Sequence, residues 1–253
     1  AVTGVGFMPD VVLHTHGGPA MTANPSTIPD GVSGLGVMAK DGSQWANTFV
    51  SDDPSNFSNT QRYQRANRTL VAIDFNQVVQ KEASFVSMDA NGFTVNFTTA
   101  NASASQVYSL ALKGVSVKAG SFNKTTGAAP ATQAITGLNF RPRAVLLSSF
   151  QDVTQGAPVT ETRFGLGAAD ASTAGSSAFT DADGVNPKSI VNAIDKTSRA
   201  FMKVDNDSAS IDAEASLTSL DAGGFTLNWT TNDAVATEML YLAFTPRRRI
   251  RIW

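Results

Sequence analysis

Cysteine is absent from the 253 residues. That excludes a disulfide framework, a thiol nucleophile and any thiolate-ligated zinc or iron–sulfur centre. Charged residues make up only 16% of the chain, against roughly a quarter in an average soluble domain. With 19 Lys+Arg and 21 Asp+Glu the formal charge is −2. Such a balance supplies no broad basic face, so nucleic acid is not an expected partner. Hydrophobic residues reach 42%, too many for a disordered chain. No apolar run approaches the roughly 18 residues of a membrane-spanning helix, and no membrane partner is expected. The opening Ala1–Pro9 lacks the basic and apolar regions of a secretory signal, so synthesis in a cytoplasm is expected. No phosphate-binding glycine loop and no Gly-x-Ser-x-Gly elbow occurs in a strand-to-helix context. The chain is therefore expected to be non-enzymatic, with no cofactor and no metal.

What is present is β-type patterning. Val11–Leu13, Leu70–Ile73, Phe93–Phe97 and Val107–Leu112 read as strands between clusters rich in Gly, Asn, Asp, Ser and Pro. In Phe93–Phe97 apolar and polar residues alternate, which predicts one buried and one polar face. These runs recur. Val2–Leu13 returns as Ile135–Leu146, and Gly34-Leu35-Gly36 as Gly165-Leu166-Gly167. Ser87–Thr99 returns as Ser219–Thr231, and Leu110–Leu112 as Leu242–Phe244. All four matches keep their order at offsets of 131 to 133 residues, the signature of an internal repeat. Substitutions between the copies, such as Val95 for Leu227 and Phe97 for Trp229, keep size and polarity as core positions do. The expected fold is all-β: two tandem antiparallel β-sandwiches, jelly-roll-like, related by internal duplication.

The expected boundaries are residues 1–114 for the first sandwich, 115–133 for a strand plus flexible linker, 134–246 for the second sandwich and 247–253 for a basic C-terminal arm. In the arm, Arg247-Arg248-Arg249-Ile250-Arg251-Ile252-Trp253, isoleucine alternates with arginine as in a half-buried strand. It is read as a docking arm that pairs with the open edge of the first copy or with an adjacent subunit. Long polar loops fall at matching places in both copies: residues 19–33 and 151–162, then 51–60 and 180–188. Loops of that length usually bind something or dock on a neighbour.

The candidate chemistry is sparse. His14 and His16, two apart on a strand, share a face compatible with metal ligation, but no further ligands stand at a recognisable spacing, and structural or surface roles are expected. The acid pairs Asp52-Asp53 and Asp181/Asp183 lie in loops where carboxylates are ordinarily solvated or hold a loose cation. Arg62, Arg65 and Arg68 are three apart with Tyr63 between. They form either a solvated charged face, helical or loop-borne, or a patch gripping an acidic neighbour. Trp45, in Asp41-Gly42-Ser43-Gln44-Trp45, is the best candidate for a sugar-stacking platform. Trp229, on an alternating strand, is expected in the core.

The duplicated pattern resembles structural proteins of tailed bacteriophages. It is carried by Gly4, Phe7, Pro9, Asp89, Gly92, Phe93, Thr94 and Asn96, and again by Gly137, Phe140, Pro142, Asp221, Gly224, Phe225, Thr226 and Asn228. The matched positions are core and turn residues, so the resemblance implies a scaffold and not a site. It implies a virion component, a capsid decoration (cement) or tail-exterior protein, with other virion proteins as partners. A homo-oligomer is expected, and three duplicated chains would occupy a pseudo-sixfold position. The alternative is a carbohydrate- or host-receptor-binding module of a tail or fibre, with a glycan or receptor as partner.

Overall fold

The computed structural model describes residues 1–19, 30–52, 56–153, 156–186, 190–206, 208 and 210–247. Among them every regular element is a strand. The first ten are β1 (Val2–Thr3), β2 (Val11–Pro19), β3 (Gly31–Ala39), β4 (Gln44–Ser51), β5 (Thr60–Arg65), β6 (Leu70–Ile73), β7 (Val79–Asp89), β8 (Gly92–Ala100), β9 (Ser105–Leu112) and β10 (Val115–Asn123). The others are β11 (Ala131–Thr136), β12 (Ala144–Ser149), β13 (Val159–Thr160), β14 (Thr162–Asp170), β15 (Ala174–Asp181), β16 (Val191–Lys196), β17 (Phe201–Val204), β18 (Ile211–Asp221), β19 (Gly224–Thr231) and β20 (Glu238–Pro246).

They pair antiparallel into four sheets. A small sheet runs β1-β8-β7-β6 and a large one β13-β5-β4-β3-β2-β9. A second large sheet runs β10-β20-β12-β14-β15-β16, and a second small one β11-β19-β18-β17. The central strands of the large sheets are buried on both faces. In β2, Val12 faces the first small sheet with Met38, Met88 and Phe93. Its neighbour Val11 faces the other large sheet with Val37, Trp45, Leu240 and Leu242. A strand buried on both sides reads as a continuous apolar or small-residue run, which is why Val11-Val12-Leu13 and Val37-Met38-Ala39 do not alternate. The molecule is therefore four layers thick, small–large–large–small. A third cluster, with Phe201, Phe225, Trp229 and Tyr241, fills the second sandwich.

Close approach explains the recurring Gly-Leu-Gly. A Cβ on Gly36 would collide with the Thr69 carbonyl oxygen, and one on Gly167 with that of Ala200. Only glycine lets β3 and β14 pass so near the chain entering β6 and β17.

Three sequence expectations meet a different arrangement. Phe97, matched to Trp229, is 47% exposed while Trp229 is fully buried. The reason is the neighbouring strand: β11 pairs along β19 as far as Trp229, whereas β1 reaches only Gly92 and Phe93 of β8. Gln133 accepts from the Trp229 indole at 3.0 Å, and Lys124 Nζ lies 5.6 Å from its ring centroid. The stretch after β10, read as a flexible link, is pinned down, because the side chain of Lys124 is fully buried with Nζ 2.7 Å from Asp233. Arg62 and Arg65 sit on a strand, β5, and not on a helical turn.

Candidate functional site: the seam between the large sheets

Trp45, Arg62 and the pair Asp181/Asp183, all read as candidate chemistry, gather where the two large sheets meet. The centre of this seam is apolar, formed by Val11, Val37, Trp45, Ala119, Leu240 and Leu242. Trp45 has no exposed surface, and its Nε1 donates to the Tyr241 carbonyl oxygen at 2.7 Å. This corrects the sugar-platform expectation: an alternating strand whose two faces are both covered leaves no aromatic face for a sugar.

Around that centre runs a polar rim. Asn47 Nδ2 donates to Ser148 Oγ at 2.8 Å. Gln64 donates to Glu238 Oε2 at 3.0 Å and accepts from the Phe150 amide at 3.0 Å. Arg62 is only 7% exposed. Its Nη2 meets Asp152 at 2.8 Å and its Nη1 donates to the Thr160 carbonyl at 2.6 Å and the Glu161 carbonyl at 2.5 Å. Burial lowers the affinity of this guanidinium for its proton, and Asp152 opposes the shift. The acidic-neighbour reading of Arg62 is thus met inside the chain, which corrects the solvated-face alternative. Arg65 and Arg68 turn instead toward Glu82. Arg68 Nε lies 3.0 Å and Arg65 Nη1 3.7 Å from its carboxylate, which also accepts from Tyr63 at 2.8 Å.

The acid pair Asp181/Asp183 is a fastener as well. Asp181 accepts from Ser51 at 2.9 Å, and Asp183 from the Thr60 amide at 2.8 Å. Burial raises the Asp181 pKa, and the neighbouring charge of Asp183 adds to the shift against the Ser51 hydrogen bond. Asp53 of the other pair lies outside the described residues. The matched long loops dock on each other. The Ser58 amide donates to the Val185 carbonyl at 3.1 Å, and the Gly184 amide to the Ser58 carbonyl at 2.8 Å.

His14 and His16 lie off the seam, between β2 and the first small sheet. His14 Nδ1 is 2.9 Å from Ser109 Oγ, and its ring packs edge-on to Phe93. His16 Nε2 donates to the Val71 carbonyl at 2.9 Å. Burial, reinforced by His16, lowers the His14 pKa to about 4, and burial lowers that of His16 too. Among the described residues no group of three His, Cys, Asp or Glu is arranged to hold a metal.

Sequence reasoning missed Asp10. Its Oδ2 accepts from the Gly114 and Val115 amides at 2.7 and 3.2 Å, and its Oδ1 from Arg247 Nη2 at 3.1 Å. It ties together the start of β2, the crossing between β9 and β10 and the end of β20. Residues 248–253 of the expected docking arm, Arg248, Arg249, Ile250, Arg251, Ile252 and Trp253, lie outside the described residues. Comparison with protein families, characterised proteins and solved structures finds no match for this chain.

Proposed function

We propose that the chain is a non-enzymatic structural component of a phage virion, a capsid decoration or tail-exterior protein, made of one sandwich module written twice. The observation that carries this reading is the seam. Its buried arginine, acids and amides bond one half of the molecule to the other, and the two small sheets are left as outer faces. A rigid four-layer block of that kind suits repeated docking better than turnover. Val86 at 51% and Phe97 at 47% exposure stand on the first small sheet, where shallow contacts multiplied by symmetry stabilise a particle by mass action.

The duplication is supported by strand order. The small sheets β1-β8-β7-β6 and β11-β19-β18-β17 correspond strand for strand, as do β9-β2-β3-β4-β5 and β20-β12-β14-β15-β16. The recurring aspartate makes the same clamp twice. Asp89 accepts from Ser87 and Thr94, both at 2.7 Å, and Asp221 from Ser219 and Thr226, both at 2.8 Å.

The test is light scattering of the purified chain over a range of concentrations, together with co-sedimentation with particles from the same source. A trimer that sediments with particles is the expected result. A monomer at every concentration that stays in the supernatant overturns the proposal.

A further inference from the structure

Lys124 is the most deeply buried cation among the described residues, and its side chain is wholly out of solvent. It follows β10 directly and meets the chain leaving β19. Its Nζ lies 2.5 Å from Oδ1 of the Asn232 amide, 2.7 Å from Oδ1 of Asp233 and 2.8 Å from the Asp233 carbonyl oxygen. The Thr125 carbonyl oxygen stands at 3.1 Å. Asn232 is fixed by its own amide nitrogen, which donates to the Thr125 carbonyl at 2.9 Å and the Gly127 carbonyl at 2.7 Å. Lys203 pairs with the other oxygen of Asp233, so Oδ1 is left to Lys124.

An ammonium group has three donors. One carboxylate and two backbone carbonyls would satisfy them, and the Asn232 carboxamide is a fourth acceptor. It is also an electrophile. With a C=O bond of about 1.23 Å, Asn232 Cγ lies at most about 3.7 Å from Nζ. Reacting atoms in a near-attack arrangement are about 3–3.5 Å apart.

We infer that Lys124 and Asn232 join in an isopeptide bond within the chain, with Asp233 moving the protons. Asp233 takes one proton from Nζ, and the neutral amine adds to Cγ to form the new N–C bond. Nζ passes a second proton to Nδ2, the Cγ–Nδ2 bond breaks, and ammonia leaves. Ammonia carries away the proton held by Asp233, which returns as a carboxylate. No atom changes oxidation state. Burial holds the Lys124 amine below its ordinary pKa, against the pull of Asp233, and this favours the neutral nucleophile.

The bond ties the end of β10 to the end of β19 across 108 residues of sequence. It therefore fastens the stretch that covers both outer edges of the second sandwich, β10 on β20 and β11 on β19. A cysteine-free chain gains in this way a covalent staple that a reducing compartment leaves intact. Lys81 supplies a contrast. It too reaches an asparagine amide, that of Asn101, but beside it stands the Ser103 carbonyl oxygen at 2.6 Å, which takes no proton. The inference rests on the Lys124 cluster alone and is independent of any role in a virion.

Mass spectrometry of the purified full chain tests it. The intact mass is expected to fall short of the sequence mass by one ammonia. Trypsin is expected to leave Lys124 uncut and to release a branched peptide joining Lys124 to Asn232, with no branch at Lys81. Asp233→Asn keeps the amine and the carboxamide and is expected to abolish the bond, in a chain whose circular dichroism shows it folded. A folded parent with the full sequence mass, loss of ammonia without a 124–232 branch, or the same branch in folded Asp233→Asn would each overturn the inference.

Discussion

The indole Nε1 of Trp45 donates to the carbonyl oxygen of Tyr241 at 2.7 Å, and it does so across the plane where the two large sheets meet. One buried ring thus fills the middle of the seam and fixes the lateral position of one sandwich on the other. Trp45→Phe keeps most of the volume and removes the donor, and is expected to cost about 1–3 kcal/mol. Trp45→Ala adds a cavity and should cost about 3–5 kcal/mol. Urea unfolding measures both. A phenylalanine variant as stable as the parent would show that the indole hydrogen bond contributes nothing.

Arg62 satisfies two carbonyls and one carboxylate from a buried position. Arg62→Met leaves those acceptors without a donor and is expected to destabilise by about 3–5 kcal/mol. The side chain of Asp152 is 31% exposed, so solvent screens the pair, and Asp152→Asn should cost only about 1 kcal/mol. A double-mutant cycle in denaturant separates the pair from the carbonyl contacts. Equal costs for the two single variants would put the whole effect in the ion pair.

Acid should weaken the fold before most carboxylates titrate. His14 has a folded pKa of about 4 against 6.5 when unfolded, and His16 is shifted in the same direction. The unfolded chain therefore binds more protons between those values. Stability contributed by neutral His14 is complete above pH 6.5 and is lost as pH falls toward 4, by up to about 1.4 kcal/mol per pH unit. His14→Leu, which installs the residue found at Leu147, should flatten the fall of the urea midpoint between pH 6.5 and 4. Identical pH profiles for parent and variant would refute the assignment.

The glycines at the close approaches should tolerate no side chain. Gly36→Ala and Gly167→Ala each drive a Cβ into a backbone carbonyl and are expected to lower stability by about 1–3 kcal/mol or more. Gly17→Ala, whose Cβ would meet only the Val32 oxygen at 3.7 Å, is the control and should be nearly neutral. Thermal melts of the three variants give the comparison.

Much of the fold was legible because a strand's side-chain period is local. Leu70–Ile73 forms β6 with the bounds read from sequence, and Val107–Leu112 falls within β9. The fate of Trp45 was not legible, because burial on the second face of a sheet depends on which other sheet covers it. The same holds for Arg62: nothing near it in sequence indicates Asp152, and their pairing comes from strand β5 and the turn after β12 being brought together by the back-to-back packing. Phe97 shows the converse, since it and Trp229, matched in sequence, differ in exposure because one neighbouring strand is two residues long and the other six.

Two strands sit with the opposite half of the molecule. β10 follows the first sandwich along the chain yet extends the sheet of the second, and β13 leaves the second to extend the sheet of the first. Covalent order and spatial partnership are therefore interlaced. A single backbone cut near Gly127 would leave β10 on one fragment and β13 on the other, each paired with a strand of the opposite fragment.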